Sequence, residues 1–186
     1  RFTFYGMRAL LVLFLVDAVD NGGYGFDEKT ATAIYGLYTA AVFMAALPGG
    51  WIADRLLGAQ RAVMIGGTLM TLGTLMLTIP GPKQLFFGGL VVIILGVGLL
   101  KPNVSTLVAD LYPEGGGRRD AGFTIFYMGI NLGAFIGPLI AGWLAQRYGW
   151  RIGFLAAAIG LPFGLLQFWL SRRLFNGAGA HAHRND

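Results

Sequence analysis

Apolar residues run through this chain in six blocks, at about 1–16, 31–53, 62–80, 84–109, 121–146 and 151–171, separated by short stretches that carry most of the charge. An α-helix rises 1.5 Å per residue, so roughly 20 residues cross a hydrocarbon core, and most of the blocks are that long. The pattern predicts an all-α integral membrane protein with six transmembrane helices. Only the first block falls short: sixteen residues precede Asp17 and the chain opens on Arg1, so this helix reads as lacking its first turns. Residues 1–175 are expected to form one bundle. Residues 176–186 have no apolar face and read as a flexible tail.

Composition changes the picture only by fixing the solvent. The 186 residues are 55% hydrophobic and 12% charged, with 30 glycines and a mean hydropathy of +0.63, too apolar for an ordinary soluble domain. The net charge of +5 forms no basic run, which argues against a nucleic-acid partner. The absence of cysteine excludes disulfides, cysteine-ligated zinc and thiol nucleophiles. His181 and His183 lack a third ligand, so no metal site is expected. No Gly-rich phosphate loop or Ser/His/Asp set appears either, and no enzyme is expected. The loops after helices two, four and six carry Arg55, Arg61, Arg118, Arg119, Arg172 and Arg173. By the positive-inside rule that side is cytoplasmic, which puts both chain ends there and the acids Asp17, Asp20, Asp27 and Glu28 in an outer loop of hydrated glycines and carboxylates.

Charge within the spans is of one sign. Arg1, Tyr5 and Arg8 fall on one face of the first helix at i, i+4 and i+7, and Lys101 lies deep in the fourth, directly before Pro102. Such cations need water, carbonyls or carboxylates, and a substrate's carboxylate is one source; snorkelling to headgroups is the alternative for Arg1 and Arg8. Tyr35 and Tyr38 at i, i+3 are placed to add hydroxyls, although an interfacial aromatic belt accounts for Tyr35 equally well. In the fifth helix Thr124, Tyr127, Asn131 and Pro138 share a face, and Gly129, Gly133 and Gly137 share the opposite one, suited to a close helix contact. Between helices two and three, Gly50 permits close approach, Gly58 a tight turn, and Asp54 beside Arg55 and Arg61 an ion pair that suits only one helix arrangement. That is the chemistry of a conformational switch.

These residues carry a family resemblance. GGWIADRLLG resembles the signature cytoplasmic loop of the major facilitator superfamily in the form found in proton-dependent oligopeptide (POT/PTR) transporters. FTIFYMGINLGAF at 123–135 resembles that family's second signature. LLKPNVSTLVADLY and RRDAGF resemble its fourth helix and following loop, and RFTFYGMRALL the end of its ExxERFxxYG motif. The matches reach from Arg1 to about Trp150.

The resemblance implies the amino-terminal six-helix half of a twelve-helix carrier, built of 3+3 inverted repeats, that takes up di- or tripeptides with protons by alternating access. It implies substrate contacts at Tyr5, Arg8, Tyr38, Lys101, Tyr127 and Asn131, proton coupling at Arg1 and Lys101, and a switch loop at Gly50, Asp54, Arg55, Gly58 and Arg61. It implies no cofactor, the proton gradient being the driving force. Both glutamates of ExxER would precede Arg1, so the acid expected to partner Lys101 is not in this sequence, nor is the second bundle. Other carriers of the superfamily, for nitrate or other anions, sugars or drugs, and a non-transporting membrane binding or sensing protein remain alternatives.

Overall fold

The computed structural model describes residues 2–112, 116–171 and 179, and the described residues are helical with short connections. The helices are α1 (Phe2–Val16), α2 (Glu28–Ile52), α3 (Ala59–Thr78), α4 (Lys83–Asp110), α5 (Gly116–Tyr148) and α6 (Trp150–Ser171). Five are long and apolar enough to cross a membrane, and α1, at 15 residues, is shorter. Arg1, Arg172, Arg173, His181, His183 and the expected tail apart from Gly179 lie outside the described residues; the Gly179 carbonyl accepts from the Gln60 N–H at 3.0 Å.

α2 to α6 each begin earlier than the hydropathy predicts, while α2 and α3 end slightly sooner, at Ile52 and Thr78. α2 begins at Glu28 because the Asp27 carboxylate caps it, accepting from the Thr30 N–H at 3.0 Å. α5 begins at Gly116, so Arg118, Arg119 and Asp120, expected in a turn, are helical; exposed side chains stay hydrated while the helix satisfies the backbone. The stretch after α2 is likewise no open loop. The helix passes into one π turn over Ala53–Leu57 and stops at Gly58, whose φ of 78° favours glycine, before α3 starts.

α4 lies along both α3 and α2, while α1 packs on α5 and α6; α4 and α5 barely meet. Backbones come close wherever glycines face each other. A methyl at Gly66 would stand 2.7 Å from the Gly96 carbonyl, and one at Gly73 2.7 Å from that of Gly89, so α3 and α4 touch through their main chains. Met7, Leu10, Leu11 and Leu15 of α1, Ile93 of α4 and Phe154 of α6 fill the interior.

The connection between α1 and α2 is hydrated as expected at Asp20, Gly22, Gly25, Asp27 and Glu28, which are exposed, but residues 17–27 also fold back on the end of α1: the Tyr24 and Phe26 N–H groups donate to the carbonyls of Phe14 and Leu15. The rings of Phe14, Tyr24, Phe86, Trp150 and Phe154 cluster beneath. Asp17 is the hub, its carboxylate accepting from Trp150 Nε1 at 2.6 Å, Asn21 Nδ2 at 3.0 Å and the Ala18 N–H at 2.9 Å. The hydrogen bonds from Asn21 and then Trp150 hold this carboxyl below the usual aspartate range.

Candidate functional site

Arg8 is the best-defined polar group within the bundle. Its position two turns into α1 brings the guanidinium to α2, where Nε donates to the Tyr35 hydroxyl; Cζ lies 5.1 Å from the Tyr35 ring centre and 5.9 Å from that of Phe4. Tyr38, one turn along α2, is 3% exposed, and its hydroxyl is buried with no hydrogen-bond partner among the described residues, as is that of Thr39. Buried hydroxyls cost about 1–3 kcal/mol when unsatisfied, so they are poised for a ligand that brings donors or acceptors. Tyr5 is half-buried, with its ring edge-on to Phe4 at 5.5 Å.

Lys101 divides between two environments. Its stem lines a cavity of about 190 Å³ beside Phe4, Met70, Val97, Phe126 and Leu161, while its ammonium stands 4.1 Å from the ring centre of Phe43 on α2. An amphipathic side chain lies this way on apolar surface, and the ring face adds about 0.5–2 kcal/mol for the cation. Phe43 was not singled out from the sequence. Its signal was available, because it continues the i, i+4 series Tyr35, Thr39 on α2.

The structure therefore joins Arg8 to Tyr35 beside Tyr38 and sets Lys101 on Phe43, both across to α2. Tyr127, 57% exposed, and Asn131, also exposed, open onto the uncovered face of α5, where Tyr127 packs on Phe123 and Phe126 of its own helix. Arg1 is outside the described residues.

Two glycine assignments are corrected. Gly49, not Gly50, makes the close approach of α2: a methyl at Gly49 would overlap the Gly98 carbonyl of α4, whereas one at Gly50 would only touch Pro102 at 3.9 Å. In α5, Gly137 packs on α1 against the Phe2 carbonyl, but Gly129 has open space around it among the described residues. Gly58 makes the turn as expected, and Asp54, Arg55 and Arg61 are exposed, with Arg55 5.7 Å from the Trp51 ring centre.

Five helices long and apolar enough to span, with cations and hydroxyls among them, mark a multi-pass membrane protein. The chain belongs to the POT family, whose model matches residues 60–182. It is 49% identical over 173 residues to the uncharacterized transporter YclF of Bacillus subtilis (strain 168), covering 93% of this chain and 35% of that protein. It is 47% identical to a di-/tripeptide transporter of Lactococcus lactis subsp. lactis, with 92% and 35% covered. The crystal structure of a peptide transporter POT in complex with sulfate superposes with a TM-score of 0.94 at 48% identity, over 98% of this chain and 37% of that one. A POT family transporter in complex with a thioalcohol-conjugated peptide gives 0.93 at 40%, over 98% and 38%. The chain thus spans about a third of the length of the curated relatives it matches.

Proposed function

We propose that this chain forms the amino-terminal bundle of a proton-coupled symporter that takes up di- and tripeptides across the cell membrane by alternating access. The reading gives the bundle six spans in two inverted three-helix repeats, with both ends cytoplasmic, facing a carboxy-terminal six-helix half across the substrate site. The observation that carries it is Arg8. With Nε taken by Tyr35, the terminal nitrogens are the fork that a peptide's carboxylate meets, and a guanidinium binds carboxylate in that bidentate way. Kinship with proteins named di-/tripeptide transporters supports the substrate class.

In this scheme the carboxylate sits between Arg8 and Lys101. Tyr5, Tyr38, Tyr127 and Asn131 hydrogen-bond the peptide backbone, so side chains are tolerated broadly. No bond of the substrate is made or broken, and the proton gradient alone drives the cycle, without a cofactor. Coupling runs through Lys101 and Arg1: the glutamate that the family motif places before Arg1 is the anion for Lys101. Its protonation frees the lysine and biases α1 against α4, the differential stabilisation that coupling requires. The switch loop, Gly50, Asp54, Arg55, Gly58 and Arg61, pairs differently in the inward- and outward-open states.

The test uses the full-length protein in proteoliposomes. Lys101→Ala should abolish proton-driven accumulation of a dipeptide yet leave counterflow exchange. Asn131→Ala should weaken affinity while residual uptake stays proton-dependent. Full accumulation by Lys101→Ala would sink the coupling assignment.

A further inference from the structure

Two proline-interrupted helices cross beside Lys101, and one buried amide joins them. Pro102 has no N–H for the Gly98 carbonyl four residues back, and Gly49 of α2, which follows Pro48, is the residue seated against that carbonyl. Asn103, 1% exposed, reaches across the same junction. Its Nδ2 donates to the Leu99 carbonyl of its own helix at 2.6 Å and to the Gly49 carbonyl of α2 at 3.4 Å.

The positions matter as much as the bonds. Asn103 lies two residues after Lys101, and Gly49 lies four residues, one helical turn, before the π turn that opens at Ala53. We propose that Asn103 is a positioning residue that ties the switch-loop end of α2 to the break in α4 carrying Lys101, so that a movement of one is felt at the other. This rests on the coupling role proposed for Lys101 above.

The two bond lengths suit a link that yields. At 3.4 Å the contact with Gly49 is longer than the usual range of about 2.7–3.2 Å for N–H···O, a weak bond that a few tenths of an ångström of further separation breaks. The bond to Leu99 persists through that movement, so the buried amide keeps a partner and the cost of parting stays small. An apolar side chain here would fill the space but hold no particular offset between the helices, because hydrophobic contact is non-directional.

Asn103→Thr isolates the cross-helix bond. A threonine in a helix donates to the carbonyl four residues back, as Thr106 does to Pro102 here, so the contact with Leu99 survives while the reach to Gly49 is lost. In the full-length protein, this variant is expected to lower proton-driven dipeptide accumulation about fivefold, with counterflow exchange and peptide affinity within about twofold of the parent, and to cause no further loss in a Lys101→Ala background. Equal loss of driven uptake and counterflow together with a lower melting temperature would show a packing role and overturn the proposal. Unchanged accumulation would overturn it as well. Asn103→Ser, smaller and still able to bond Leu99, gives the same reading if the threonine variant fails to fold. Lys101→Ala run in parallel separates the two failures: if it loses accumulation and Asn103→Thr does not, only this inference falls.

Discussion

The hydroxyl of Tyr38 has the most informative energetics, because burial without a partner among the described residues acts against the fold. Removing such a group while keeping the ring relieves an unmet hydrogen bond, so Tyr38→Phe should raise the melting temperature of the ligand-free protein or leave it unchanged. Peptide affinity, measured by calorimetry, should fall about fivefold if the hydroxyl is held for the substrate; equal affinity would make Tyr38 a packing residue. At this scale the sequence draws attention where chemistry is rare. A guanidinium or ammonium inside an apolar span stands out on cost alone, which is how Arg8 and Lys101 were found. Phe43 and Asn103 escaped because an aromatic or a small amide in a helix is common, and only the partner across the gap gives it a role.

Between helices, the crossing of α2 and α4 sets a sharp contrast. A methyl at Gly49 overlaps the Gly98 carbonyl, whereas Gly36 on the same helix has open space around it. Gly49→Ala should therefore cost at least about 1–3 kcal/mol and reduce the yield of folded protein, while Gly36→Ala should be near neutral by thermal melting in detergent. Periodicity does not give such contacts. A helix that is apolar on every side has no moment to say which face packs, and adjacent glycines at 49 and 50 differ by about 100° around the axis. The anchoring of the connection between α1 and α2 was missed for a related reason, since nothing near Asp17 in sequence points to Trp150, 133 residues later, which reaches it. Because the folded Asp17 carboxyl titrates below its unfolded value, its contribution is complete above about pH 4 and is lost as pH falls through the lower folded value. Wild type should melt above Asp17→Asn at pH 7, and the gap should close only below pH 4. A gap already closing between pH 7 and 5 would contradict the Asp17 assignment.

Taken whole, the bundle presents bare apolar faces on α2 and α5, with Leu47 79% and Ile125 70% exposed. These residues alone, in liposomes, should give no proton-driven dipeptide uptake; uptake would refute the need for a second bundle. Orientation is open to a direct check. Cysteines at Gly117, which has open space, and at exposed Asp20 should be labelled by an impermeant thiol reagent in intact cells at position 20 only. The reverse pattern would overturn the topology; Gly23 is unsuitable, since any side chain there meets Asp17. The six apolar blocks were legible because a bilayer demands long runs, but the pairing of those blocks was not. α1 packs on α5 and α6, which are made after α2, α3 and α4, and its Gly6 meets Gly137. At synthesis rates of about 5–20 residues per second, α1 waits on the order of 7–26 s for that partner, although α2, which takes Arg8, is made well before it. For that interval the first helix depends on the insertion machinery and lipid headgroups for its shelter, and a slowed ribosome prolongs its exposure.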